Sequence, residues 1–297
     1  MERIESPPPK VGLALSGGGA LGLAHIGVLK ILEQESTPID YLAGTSMGGI
    51  VAAGYASGLS PAFLEQETLR MANLRGLLTL ADPSLPRRGF FEGQKVREYL
   101  MDHLGDRTFD ELRVPLTLVA SDLNSGREVF LREGQLVDAV RATIALPGVF
   151  TPVERDGQLL VDGGLLDNLP ADAARHMGAD IVIAVDAATK NGTTSSLVEA
   201  LHQRRYVPNG LVDTVEVLYR SLGVMMVEIT RRRLAEAQPE VIIRPAIPPG
   251  VTAFTGFSRA AEIIAAGEKA ALEALPRIQE LLASPMSDTP CRSFVVE

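Results

Sequence analysis

Ser46 lies between two glycines in Gly44-Thr45-Ser46-Met47-Gly48, the G-x-S-x-G spacing of a nucleophile elbow. A short apolar run, residues 41–45, precedes it, and an Ala/Gly-rich helical segment, residues 47–57, follows. A strand feeding a sharp turn and a helix would hold the Ser46 hydroxyl above the end of a sheet in a strained backbone. It would also place that hydroxyl at a helix N-terminus, where free N–H groups favour developing negative charge. Gly44 and Gly48 would let neighbouring backbone approach without a Cβ clash. The chemistry this supports is nucleophilic attack on an acyl carbon. The competing reading of the same residues is Ser46 as a plain N-cap.

A second glycine turn, Gly17-Gly18-Gly19-Ala20-Leu21-Gly22, follows the apolar run 11–15 and opens the helical segment 24–34. Its N–H groups could form an oxyanion hole. Gly17-x-Gly19-x-x-Gly22 also has the spacing of a dinucleotide fingerprint, which would make the chain a nucleotide-binding oxidoreductase. That fingerprint needs an acid at the end of the second strand. Asp40 stands before the strand 41–45, and the Ser46 elbow occupies its end, so the nucleotide reading is the weaker one.

A serine nucleophile needs a group to accept its proton. The four histidines are His25, His103, His176 and His202. None stands at a strand end in the Ser, Asp/Glu, His order of an α/β-hydrolase triad. His25, just inside the first helix, reads as a supporting residue. His103 and His176 each precede a helix ending, where a basic side chain is favourable. Asp162-Gly163-Gly164 closes the apolar run 158–161, so Asp162 is expected at a strand end, where open parallel sheets place their sites. Alone, Asp-Gly-Gly is only a turn signal; with Ser46 it becomes a candidate base.

The elements that must position these residues begin strand–helix–strand–helix, the signature of a parallel sheet covered by helices. Further helices are expected at 61–70, 94–103, 136–144 and 171–177, and strands at 116–120, 128–132, 158–161, 181–186 and 241–243. Residues 82–89 read as a loop, residues 190–209 as a polar surface excursion, and residues 258–282 as a closing helix. Leu211, Val215, Leu218, Leu222, Met225 and Ile229 form one stripe of a helix ending near Ala237. Four readings of that helix are open: a lid over an acyl tunnel, a dimer face, a membrane-facing surface or, favoured here, a surface helix with its apolar side in the core. Arg231-Arg232-Arg233 suits a helix C-terminus, and Arg87-Arg88 and Arg204-Arg205 read as solvated pairs.

The chain has 297 residues, 46% of them hydrophobic, enough for one large α/β domain. Its net charge of -9 lacks the basic field that nucleic acid requires and repels anionic membranes. The single Cys291, in a Pro/Ser-containing tail, fits a reducing compartment and is a poor nucleophile candidate. Residues 1–10 lack an apolar secretory core, and no apolar run is long enough to span a bilayer. The expected location is the cytoplasm, with peripheral contact at the inner membrane face left open.

Three motifs in this order resemble the patatin-like phospholipases: the Gly17–Gly22 loop, the Ser46 elbow and the Asp162-Gly163-Gly164 turn. Ala24-His25-Ile26-Gly27-Val28-Leu29, the segment from Ala142 to Phe150 and Asp167-Asn168-Leu169-Pro170 resemble the bacterial branch. The resemblance implies a three-layer α/β/α fold with a mainly parallel central sheet. It implies a Ser46–Asp162 dyad without histidine and an oxyanion hole from Gly17, Gly18 and Gly19. Gly22, Gly44, Gly48, Gly163 and Gly164 would support these parts. It also implies a lipid or other acyl-ester substrate and no cofactor or metal. Self-association is left open, as is a catalytically silent regulatory role. Many relatives carry Arg or Lys where this chain has Leu21, so any cationic help there is missing. The expected organisation is a disordered leader at 1–10, the patatin-like hydrolase domain at 11–283 and a C-terminal tail at 284–297.

Overall fold

Alternation along the strands decides which face of the sheet each side chain covers. On β1 (Val11–Leu15), Val11, Leu13 and Leu15 enter one core, and Ala14 enters another on the opposite face. β2 (Tyr41–Thr45), β9 (Ile181–Val185) and β10 (Val241–Ile243) repeat the pattern. Leu42, Ile183 and Ile243 lie on the first face, and Ala43, Ala184 and Ile242 on the second. Two apolar faces require helices on both sides, giving the expected three layers.

The computed structural model describes residues 7–72, 82, 89–188, 209–253, 256–283 and 294–296. Its main sheet runs β11-β10-β9-β1-β2-β4-β8-β7, with β5 paired to β4. β4 is Leu116–Asp122, β5 Arg127–Leu131, β7 Val153–Arg155, β8 Gln158–Asp162 and β11 Phe294–Val296. The pairings from β11 through β4 are parallel; β5, β8 and β7 pair antiparallel.

One face carries α1 (Ala24–Gln34), α2 (Ser46–Ala56) and α8 (Ala260–Ala283), and α3 (Pro61–Met71) packs outside α1. α4 (Gln94–Leu104) and α5 (Leu136–Thr143) cover the same core farther along. α6 (Ala171–His176) and the end of α7 (Asn209–Ala237) cover the other face. α1 and α8 touch backbone to backbone. A Cβ at Gly27 would overlap the Ile264 carbonyl, and one at Gly267 would overlap the Ala24 carbonyl.

The long expected elements occur within two residues of their expected ends. Four strands were not expected: β3 (Gly89–Phe91), β6 (Gly148–Phe150), β7 and β11. Three residues are too few to show a period of two. β3 and β6 form a separate parallel pair. The expected leader is not wholly apart from the domain. The Lys10 N–H donates to Asp180 at 2.8 Å and its ammonium pairs with Asp40 at 2.7 Å. Nor is the expected tail, because β11 adds a parallel strand beside β10.

The buried row of α7 also differs from the stripe expected from sequence. Leu218 and Met225 are 57% and 53% exposed, while Tyr219, Leu222, Met226 and Leu234 line a cavity. The inward row is offset because apolar residues occur on both sides of α7, and a cavity lies beneath its middle while Leu234 at its end packs on the core. Arg87-Arg88, Arg204-Arg205, His202, Cys291 and the side chains of Leu211 and Val215 lie outside the described residues. Among the described residues, no helix is long and apolar enough to cross a membrane.

Candidate active site

One edge of β4 brings the two candidate catalytic residues together. β2 runs parallel to β4 and ends with Thr45 opposite Val119. β8 runs antiparallel to β4 and ends with Asp162 opposite Ala120. β5 overlaps both pairings along β4, so β2 and β8 share the edge opposite β5. Two strands of opposite direction thus end against each other, and the residue after Thr45 meets Asp162.

The Ser46 Oγ donates to Asp162 Oδ2 at 2.6 Å. Ser46 has φ +53°, a left-handed conformation that a non-glycine residue holds only when its surroundings impose it. Those surroundings are specific. The Ser46 N–H donates to Thr143 Oγ1 at 3.0 Å, and the Thr143 hydroxyl donates to the Val119 carbonyl at 2.5 Å. The Thr45 hydroxyl donates to the Asp167 carbonyl at 2.8 Å. Ser46 also opens α2, whose positive end favours negative charge on its oxygen.

Asp162 is buried, accepting from Ser46 at Oδ2 and from the Gly164 N–H at Oδ1, 2.8 Å away. Burial pushes its pKa up to about 6, against the opposing pull of those two hydrogen bonds. An ordinary aspartate is a weak base; this one is better matched to accepting a proton near neutral pH.

The glycine loop stands beside this pair. Gly18 and Gly19 have φ +148° and +56° and line the same cavity as Ser46. Gly17 is different: its N–H donates to the Asn168 carbonyl at 2.9 Å, and a Cβ there would meet Asn168 Oδ1 at 2.5 Å. The loop is held from behind by a hydrogen bond from Ala20 N–H to the Ala253 carbonyl at 2.7 Å. His25 lies buried under it, 2.8 Å from the Ser16 carbonyl through Nε2, and burial lowers its pKa to about 4. Among the described residues, no histidine is bonded to Ser46 or Asp162. Leu21 is buried.

The remaining glycines allow close approach. A Cβ at Gly48 would overlap the carbonyls of Leu15 and Ser16, and one at Gly163 that of Val119. A Cβ at Gly44 would meet the Gly48 carbonyl at 2.8 Å, and one at Gly22 the Met47 side chain. Asp40, the acid a nucleotide site would need, is tied to Lys10 and the Val11 N–H at the opposite end of β1.

Ser46 and Asp162 open onto a cavity of about 770 Å³, roofed by α7 and lined mostly by apolar side chains. Thr143, Thr45 and Asn168 had no role assigned from sequence. Thr143 and Asn168 lie in segments whose only sequence signal is their family resemblance, and a lone buried Thr or Asn carries no chemical signature until its partners are known.

The match of the patatin-like phospholipase family model covers residues 13–175, more than half of the chain. An uncharacterized NTE family protein of Mycobacterium tuberculosis is 37% identical over 220 residues, 74% of this chain and 58% of that protein. Human patatin-like phospholipase domain-containing protein 6 is 35% identical over 192 residues, 63% of this chain and 14% of that protein. The chain thus spans less than two thirds of the length of either relative. The crystal structure of VipD from Legionella pneumophila aligns with TM-score 0.44 at 12% identity, over 93% of this chain and 67% of that one. The three motifs fall inside the matched segment, and the chain belongs to the patatin-like phospholipase family.

Proposed function

We propose that the chain is a serine acyl-ester hydrolase, of phospholipase, lysophospholipase or carboxylesterase type, working through a Ser46–Asp162 dyad. The observation that carries this reading is the 2.6 Å hydrogen bond from Ser46 to the buried Asp162 at the wall of an apolar cavity. Asp162 takes the hydroxyl proton as Ser46 Oγ bonds to the acyl carbon. The N–H groups of Gly18 and Gly19, near the positive end of α2, receive the developing oxyanion. Gly17, already bonded to Asn168, serves to shape the loop. Collapse of the intermediate breaks the ester C–O bond, and the alcohol leaves with the proton from Asp162. Water then attacks the acyl-enzyme, giving its proton to Asp162, and the acid is released with Ser46 restored.

Purified protein should hydrolyse a short p-nitrophenyl ester and take a fluorophosphonate label on Ser46. Ser46→Ala should lose both, and Asp162→Asn should lose about 10²–10⁴ in rate. Full activity of Asp162→Asn would remove the dyad. Absence of any labelling would leave a catalytically silent family member.

A further inference from the structure

The cavity wall is unlike on the two sides of Ser46. Toward β8 it is made by Phe91, Val96, Ile144, Leu146, Val149 and Phe150, all apolar. Toward β9 and β10 it carries Asp186 and Arg244, the residues that follow those strands. Ile243, Val185, Leu15 and Gly44 stand in register across four adjacent strands. Arg244 and Asp186 therefore lie in one row with Ser16 and the Ser46 turn. Three strand spacings of about 4.8 Å put the Arg244 backbone ~14 Å from that turn. The Arg244 side chain, reaching into the same cavity, closes part of the gap.

The guanidinium is held at one edge. Arg244 Nε donates to Asp186 Oδ2 at 3.4 Å, and Asp186 is buried. Among the described residues neither Nη group of Arg244 makes a hydrogen bond, and such a pair can grip a phosphate in bidentate fashion. Arg244 is 23% exposed, so its charge is far less screened than that of Arg231 at the rim, which is 71% exposed and paired with Glu228.

We propose that Arg244, oriented by Asp186, is a specificity-determining residue that binds a phosphate on the alcohol side of the ester. The acyl chain then lies in the Phe91–Phe150 end, and Ser46 meets the ester between them. The proposal rests on the hydrolase reading for the direction of the substrate, but the anion subsite can be measured without turnover.

Calorimetry with dodecyl phosphate, dodecyl maltoside and inorganic phosphate tests it. Wild-type protein should bind dodecyl phosphate at least about tenfold more tightly than the uncharged amphiphile, the scale of a charge-assisted contact. Arg244→Gln should remove that preference, and Arg244→Lys should keep part of it. Raising salt from about 0.05 M to about 0.5 M should shrink it in wild-type protein, a measurement that needs no variant to fold. Equal binding of both amphiphiles by wild type would overturn the proposal. So would an unchanged preference in folded Arg244→Gln, or binding of inorganic phosphate as tight as that of dodecyl phosphate. With substrates, the kcat/KM ratio of lysophosphatidate to monoacylglycerol should fall about tenfold in Arg244→Gln. Failure of wild type to hydrolyse any ester would refute the hydrolase reading while leaving the calorimetric result to decide the subsite.

Discussion

Thr45 and Asp162 occupy consecutive positions, opposite Val119 and Ala120, along one edge of β4. β2 arrives from one direction and β8 from the other, so the Ser46 hydroxyl and its carboxylate partner are fixed by sheet pairing. The proposed dyad, built this way, needs no mobile loop to bring its members together.

Activity should follow the ionisation of Asp162. Burial pushes its pKa up to about 6, and only the unprotonated carboxylate can accept the Ser46 proton. kcat/KM for a neutral ester should therefore be flat above pH 7 and fall below pH 6, by about tenfold at pH 5. A pH–rate profile with a neutral substrate checks this. The sign for stability is opposite. A carboxyl whose pKa rises from 3.8 to about 6 on folding stabilises the protein below pH 4, and that contribution is lost as pH rises through 6.

Thr143 links the elbow to β4 by accepting from the Ser46 N–H and donating to the Val119 carbonyl. Thr143→Val keeps the shape and removes both contacts. It should lower stability by about 1–3 kcal/mol, the cost of stranding buried polar groups. It should also lower kcat more than it changes KM. Thr143→Ser should restore most of both. Chemical denaturation and steady-state kinetics separate the two effects.

Gly48→Ala should lower the melting temperature sharply, because the new Cβ overlaps the carbonyls of Leu15 and Ser16. Gly163→Ala should do the same against the Val119 carbonyl. Gly126→Ala is the control. Unlike Gly48 and Gly163 it has a left-handed φ, +67°, and it has nothing within 4 Å of a Cβ built there. Its cost should be only about 1–2 kcal/mol.

Met226 faces the cavity from α7, and bulk added there should shorten the acyl chain that fits. Met226→Trp should lower kcat/KM for decanoyl esters relative to butanoyl esters. An unchanged chain-length profile would mean the acyl group does not run beneath α7.

Much of the site is readable in the sequence because its parts are punctuated by glycine. Ser46 and the Gly17–Gly19 loop each follow a strand and open a helix, a local pattern. Asp162 is readable only as a turn; its role depends on β8 joining the β2 edge of β4, and strand order is not encoded within any short window. Thr143 and Asn168 act through partners 97 and 151 residues away, so their types alone predict nothing. The α7 stripe was offset because a helix over a cavity does not show a single apolar face. The strands at 89–91, 148–150 and 153–155 are shorter than any periodic signal.

The glycine contact between α1 and α8 sets a minimum size for a working fragment. Every proposed catalytic group lies before residue 165, yet α1, which carries the glycine loop at its start, is clamped by a helix that ends at Ala283. The Ala253 carbonyl that braces Ala20 lies just ahead of that helix. A fragment cut at the end of the matched family segment, residue 175, would hold both dyad residues and lose the clamp and the brace. The smallest fragment able to carry the proposed activity therefore extends about a hundred residues past the last proposed catalytic residue, and a truncation series should lose ester hydrolysis in one step when α8 is shortened past Gly267.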